Sequence, residues 1–505
     1  RGGGVGVLCV VRTPVPAESW KHGFGPFPCH PRPPWSTTMT INDTLLAELV
    51  STDPFAGLRA KIDGELLTSG HPEYDQARRT VSLRSNRFPL VIVRAASEGD
   101  VVAAVDFARE HELPLAVRSG GHSIAQYSVV DDALVIDLSQ LKRVEVDPVT
   151  RTARVQTGAT SADIAGPANA HGLALTTGDT SSVGIGGLAT GGGVGYLVRR
   201  YGLTIDSLLS ARVVTADGQV VTACPTEHPD LFWAIRGGGG NFGVVVEFTF
   251  RLAPVDHVLG GLLVLPATRE VVRAYLDHAI EAPDELTMLA DLTLAPPAPF
   301  IPPEWVGKPV LMIIAVWCGE PEAGAQALAP LRALADPVAD LVSWIPYPAI
   351  YEFTAHLAEP HGASIRMMFA DELSDAALDA SIEAVVNSPS DANLVHLRGL
   401  GGAFGRVAND ATAFAHRDRR YFVALIAVWL DEGADPAPHE AWTLSLWERL
   451  RPEGEGVYVN FLEDEGRDRV HEAYPPATYD RLAAVKRRYD PDNLFRFNQN
   501  VTPAS

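Results

Sequence analysis

Four stretches of this 505-residue chain carry residue types and spacings that could do chemistry. The run 118–123 reads Arg118, Ser119, Gly120, Gly121, His122, Ser123, with Gln126 close behind. Two successive glycines let the main chain turn tightly and aim consecutive N–H groups at one point, a nest that binds anionic oxygens such as phosphate. An imidazole beside such a nest lies against whatever the nest holds, although a glycine turn with an incidental surface histidine explains this run equally well. The stretch 178–195 is glycine-rich throughout. It is poor helix or strand material and reads as a loop that approaches something bulky, its free N–H groups suiting a pyrophosphate; a flexible surface loop is the plainer alternative. Gly193 and Gly195 could open a Rossmann dinucleotide loop, but position 198 is Val where the third glycine belongs, which disfavours NAD. In 231–248, Gly237 to Gly240 feed a β-branched strand holding Val246, which a tight loop between core elements would explain. The stretch 489–500 ends in Asn498, Gln499 and Asn500, amides placed where most chains fray.

These stretches need elements to hold them. Residues 90–94, 115–118 and 133–137 read as short apolar strands, and Ser97 as the cap of a helix over 98–112. Strands over 144–147 and 153–156 flank a turn at Asp147 and Pro148, and 161–171 reads as a helix. Residues 210–215 and 220–222 flank Asp217 and Gly218, a hairpin signal. Beyond about 255 the texture changes. Prolines over 296–303 mark a long loop, strands over 310–316 and 422–430 alternate with Ala-rich helices over 320–335 and 374–386, and 479–489 is a short basic helix. Antiparallel strands with helices on one side are the expected form of that half.

The bulk numbers fit a large globular chain. Charged residues are 20% and hydrophobic ones 46%, and the formal charge of −21 repels phosphate backbones, so nucleic acid is not an expected partner. Cys9, Cys29, Cys224 and Cys318 form no metal-ligand spacing, no metal is expected, and a reducing, cytoplasmic setting fits best. No stretch reaches the ~20 apolar residues of a membrane span. Residues 1–38 are rich in Gly, Pro, Trp and His and read as a disordered or non-native leader, with Met39 as the start. The scarcity of Lys beside Arg and the high Ala content suggest a GC-rich bacterium.

Together the four stretches resemble the FAD-linked oxidases of the berberine bridge enzyme-like family, within the vanillyl-alcohol oxidase or PCMH-type fold. The resemblance spans roughly 85–255 and 455–503, with weaker matches between. It implies an α+β chain with a 39–84 N-terminal helical segment, an FAD-binding part over 85–255, a substrate part over 256–455, and a 456–505 segment returning to the flavin. The intact 118–123 run implies a covalent bond from His122 to the flavin 8α carbon, with Arg118, Ser119, Gly120, Gly121, Ser123 and Gln126 around it. The resemblance extends the cradle to Gly178, Asp179, Ser182, Val183, Gly184, Gly187, Gly191, Gly192 and Gly195. Val246, Asn460, Asn498 and Asn500 complete it. Thr180 stands where many members carry a second-link cysteine, which implies a single link, as in monocovalent bacterial members. Leu188 replaces a histidine frequent in plant members, and Val183 occupies the oxygen gate, where a small valine goes with O2 as acceptor.

The implied reaction is hydride removal from a CH–OH or CH–NH group of a small organic substrate, with O2 reduced to hydrogen peroxide. A dehydrogenase using another acceptor and a catalytically idle flavin or small-molecule binder are the rivals. Tyr458 is the implied base or orienting residue, with a packed strand aromatic as the alternative. A tyrosine of ordinary pKa, about 10, is a poor base at pH 7, so its pKa would have to fall. Arg366 stands where relatives often have a lysine facing the flavin; for it and for His416 a structural role weighs more than a catalytic one. Glu463, Asp464 and Glu465 read as a solvated turn. The aromatics Trp305, Trp317, Trp344, Tyr347, Tyr351 and Phe353 either line a pocket or simply pack.

Overall fold

The computed structural model describes residues 53–505. The leader, the Met39 start, the first part of the 39–84 segment, Cys9 and Cys29 lie outside the described residues. Three sheets are built in chain order. The first joins β1 (Glu65–Leu67), β2 (Val91–Arg94), β3 (Leu115–Arg118) and β4 (Leu134–Asp137) in the order β1-β2-β4-β3. Its β2, β3 and β4 are parallel, so a crossover must return the chain, and the helix Glu98–Glu110 does so. Ser97 starts that helix with a capping box: its side chain accepts from the Asp100 N–H, and Asp100 reaches back to the Ser97 N–H. The 39–84 segment, expected to be helical, contains over its described residues two single-turn helices, Ala56–Arg59 and Tyr74–Ala77, and the strand β1.

The second sheet is antiparallel. It contains β5 (Val144–Asp147), β6 (Thr152–Gln156), β7 (Leu208–Val214), β8 (Val220–Ala223) and β9 (Val244–Arg251), in the order β5-β6-β9-β7-β8. Gly218 takes φ +79° in the β7–β8 turn, as the Asp-Gly pair predicts. The third sheet is the largest. It contains β10 (His257–Pro266), β11 (Leu286–Leu294), β12 (Pro309–Trp317), β13 (Ala339–Asp340), β14 (Ser343–Pro346), β15 (Gly362–Ala370), β16 (Leu394–Gly399) and β17 (Tyr421–Trp429). Its order is β13-β10-β12-β11-β16-β17-β15, with β14 also on β10, and every pairing is antiparallel.

The two faces of the third sheet have different partners. Val395, Leu397, Val423, Leu425 and Met368 pack with residues of the helices Arg269–Glu281, Asp375–Val386 and Ala437–Leu450. The alternate residues Met367, Phe369, Phe422 and Ala424 join a different core, shared with Leu188, Ala189 and Tyr458. Because side chains alternate along a strand, β15 and β17 send every second residue into the core shared with the glycine-rich stretches.

The glycine-rich stretch also departs from expectation. Residues 185–191, read as loop, form a helix, Ile185–Gly191. Ile185, Leu188 and Ala189 are buried in the shared core, and their packing outweighs the poor intrinsic propensity of the glycines.

Candidate active site

The two glycine-rich stretches meet back to back. A Cβ on Gly120 would lie 2.3 Å from the Gly184 nitrogen, and one on Gly184 would lie 2.3 Å from the Gly120 nitrogen, so neither main chain could approach the other with a side chain between them. Ser119 Oγ donates to the Thr157 carbonyl at 2.6 Å and pins the start of the first loop. Arg118, expected in the cradle, spends its guanidinium on the carbonyls of Ala77 and Arg79. Ser123 and Gln126 close the turn after His122, the Gln126 N–H donating to the Ser123 carbonyl at 3.0 Å. His122 Nε2 lies 3.0 Å from Ser182 Oγ, which joins the two stretches side chain to side chain. Burial, reinforced by nearby His361, pushes the His122 imidazole down to about 4, so at neutral pH it carries an uncharged ring with a lone pair.

Asp179 fixes the second stretch. Its main-chain carbonyl accepts from Thr354 Oγ1 at 2.6 Å and from the Tyr196 hydroxyl at 3.1 Å, and its carboxylate pairs with Arg398 on β16. Arg398 is 2% exposed, and its Nε and Nη1 have no hydrogen-bond partner among the described residues. Sequence reasoning missed this arginine. Tyr351 docks on the same region through Thr177 Oγ1, at 2.5 Å, and Tyr347 packs beside it. Of the other aromatics, Trp317 belongs to the helix-side core and Trp344 is 44% exposed.

The C-terminal segment closes the arrangement. The Tyr458 hydroxyl oxygen accepts from the Gly193 N–H at 2.9 Å and from Asn460 Nδ2 at 2.9 Å. Asn460 Nδ2 also reaches the carbonyls of Gly187 and Leu188, at 3.3 and 3.2 Å, and its side chain occupies the space a Cβ on Gly191 would need. Gly192 lies against the Phe414 and Tyr458 rings, and Gly195 against the Thr177 carbonyl. Burial pushes the Tyr458 phenol up to about 12, the opposite of the fall a tyrosine base would need. With both lone pairs engaged, its remaining capacity is to donate.

Further along, Gln499 Nε2 donates to the Leu462 carbonyl at 2.7 Å, and Asn498 to the Gly240 carbonyl at 3.2 Å. The Oδ1 atoms of Asn498 and Asn500 are buried without a partner among the described residues. A buried amide oxygen left unpaired costs about 1–3 kcal/mol, so these atoms fit a bound polar group. The tail does not fray because Lys486 and Asp490, both fully buried, pair at 2.6 Å, and Lys486 also donates to the carbonyls of Asn241 and Phe495.

Three expected residues sit elsewhere. Arg366 has the parity of Met368 on β15, not that of Met367 and Phe369, and it pairs with Glu463 at 2.9 Å and Glu465 at 3.3 Å. Glu463 and Glu465 are therefore not solvated, although Asp464 between them is exposed as expected: Glu463 is 9% exposed and also meets Arg84 at 3.3 Å. His416 is buried behind Phe369, with Nε2 2.9 Å from the Glu472 carbonyl. Val246 lies in the core beside the first sheet, its carbonyl accepting from the Thr157 N–H.

The chain matches the model of an FAD binding domain over residues 89–223 and that of berberine and berberine-like proteins over 457–502. It is 31% identical over 462 residues to the uncharacterized FAD-linked oxidoreductase YgaK of Bacillus subtilis, covering 88% of this chain and 98% of that one. It is also 31% identical to the (R)-6-hydroxynicotine oxidase of Paenarthrobacter nicotinovorans, over 88% and 97% of the two chains. The chain belongs to the berberine bridge enzyme-like FAD-linked oxidoreductases. The crystal structure of 6-hydroxy-D-nicotine oxidase from Arthrobacter nicotinovorans superposes with a TM-score of 0.78 at 27% identity, covering 88% of this chain and 98% of that one. This family member is thus an FAD-dependent oxidoreductase with a PCMH-type FAD-binding fold. Its paired glycine loops, uncharged His122 and unpartnered tail amides suit that cofactor.

Proposed function

We propose that this protein is an oxidase that takes a hydride from a CH–OH or CH–NH group of a small organic substrate and passes the electrons to O2, with FAD linked once, through His122. The observation that carries this reading is that two distant segments, around His122 and around Tyr458, both dock on the glycine-rich 178–195 stretch. His122 meets Ser182 at 3.0 Å, and Tyr458 meets Gly193 at 2.9 Å. The flavin, when bound, supplies the hydride acceptor. His122 offers a neutral ring nitrogen for the single bond, and Thr180 offers no thiol for a second. Asn460, Asn498 and Asn500 hold the polar edge of the cofactor. Tyr458, neutral at working pH, donates to the substrate heteroatom and orients it. Val183, small and half-buried, leaves room for O2. A cyclic amine is a reasonable first substrate, since a relative at 31% identity is named for 6-hydroxynicotine.

The test is denaturation in acid with a His122→Ala control. Yellow colour that stays with precipitated wild type and leaves the variant supports the link. Flavin released from both removes the link and keeps the fold. Wild-type protein that contains no flavin and cannot be reconstituted refutes the reading.

A further inference from the structure

Both faces of the third sheet are covered, and strands in such a sheet ordinarily run continuously apolar. β16 departs from this. Val395 and Leu397 point to the helices, while His396 and Arg398 stand on the face turned to the glycine loops. Asp291 of β11 is the direct cross-strand partner of His396, and its Oδ1 lies 2.7 Å from His396 Nδ1. The other ring nitrogen, Nε2, has no hydrogen-bond partner among the described residues. A carboxylate that holds the Nδ1 proton leaves the lone pair on Nε2, which is how a histidine is set up as a base. The pair is reachable: the side chains of His396 and Asp291 are 12% and 30% exposed. It also borders the site already described. The His396 ring is 5.7 Å from the Phe422 ring, which is 6.2 Å from the Tyr458 ring, and the Arg398 guanidinium lies 6.0 Å from that same Phe422 ring.

Burial, which outweighs the hydrogen bonds from Gly193 and Asn460, pushes the Tyr458 phenol up to about 12, so at working pH it is a donor and not the proton acceptor. We propose that His396, oriented by Asp291, is the catalytic base that takes the O–H or N–H proton of the substrate, while Tyr458 donates to the same heteroatom. The X–H bond breaks with its electrons left on X and its proton on Nε2. The carbon–heteroatom double bond forms as the C–H pair leaves as hydride to the flavin. The two electrons then reach O2, which takes up both hydrogens and leaves as peroxide. This assignment rests on the oxidase reading above.

The test is anaerobic bleaching of the flavin in holoenzyme, with a panel of small secondary alcohols, sugars and cyclic amines that includes 6-hydroxynicotine. His396→Gln should slow bleaching by about 10²–10⁴-fold at unchanged flavin content and spectrum. His396→Gly should recover with added imidazole, which a merely structural histidine would not do. Asp291→Asn should slow bleaching less than His396→Gln. Independently of turnover, diethyl pyrocarbonate should acylate His396 in the wild type, and the bleaching compound should shield it. Equal bleaching by wild type and His396→Gln, or an unshielded His396, overturns the base assignment and leaves the oxidase reading intact. A wild-type flavin that no compound bleaches overturns both.

Discussion

The pair between Arg398 and Asp179 ties the third sheet to the loop that carries Ser182, and it can be tested by removing each partner in turn. Arg398 is 2% exposed, and its other guanidinium donors lack partners among the described residues, so Asp179 is the only anion compensating it there. Breaking a buried pair from one side costs about 3–5 kcal/mol, because the remaining charge is left uncompensated. Asp179 keeps a 23% exposed side chain, so Arg398→Met, which strands the carboxylate, belongs near the lower end, about 3 kcal/mol. Asp179→Asn strands a guanidinium with almost no access to water and belongs near the upper end, about 5 kcal/mol. The double variant strands neither charge and should fall short of the sum by at least about 2 kcal/mol. Chemical denaturation of the four proteins at one pH and salt reads all three numbers. In each single variant the acid-stable flavin fraction should also drop, since Ser182 lies three residues from Asp179 and holds His122. Two single effects under about 1 kcal/mol that simply add would refute the view that this pair is a buried anchor.

Three further outcomes follow from the geometry. Gly184→Ala places a methyl 2.3 Å from the Gly120 main chain, which cannot yield as a flexible side chain would, so the purified protein should contain little flavin by absorbance. Asp490→Ala leaves Lys486 buried and unpaired, and should cost about 3–5 kcal/mol in denaturant while Asp492→Ala nearby costs under about 0.5 kcal/mol. In flavin-free protein the folded pKa of His122, about 4, lies below its ordinary 6.5. The unfolded chain therefore binds the proton first. Stability is full above 6.5 and falls as pH drops toward 4, by up to about 3 kcal/mol, and His122→Asn should remove that slope in melting curves against pH.

The sequence made the scaffold legible where short-range rules decide. Ser97 before an apolar period, Asp217 with Gly218 between β-branched runs, and the alternation of strands with Ala-rich helices each correspond to an observed element. It misled where tertiary burial overrides local preference. The helix Ile185–Gly191 exists because Ile185 and Leu188 are buried on one side, and Glu463 and Glu465 are buried because Arg84 and Arg366 come to them from elsewhere in the chain. No local pattern announces partners that are nearly 100 to 380 residues away.

The residues that sequence reasoning missed were hidden by a pattern with two meanings. Residues 394–399 read Leu, Val, His, Leu, Arg, Gly, and alternating polar residues in a strand ordinarily signal a face open to water. Residues 421–429, a neighbouring strand, and 309–317, two strands away, are almost entirely apolar, as strands covered on both sides must be. Alternation in one strand of an otherwise apolar sheet marks polar residues that meet polar partners under the cover, as Arg398 meets Asp179. Asp291, the single charged residue in the β11 run, carries the same signal one strand away. Read as a contrast between neighbouring strands, the sequence points to His396, Arg398 and Asp291 as residues facing a common space, and what it cannot supply is the register that sets Asp291 opposite His396.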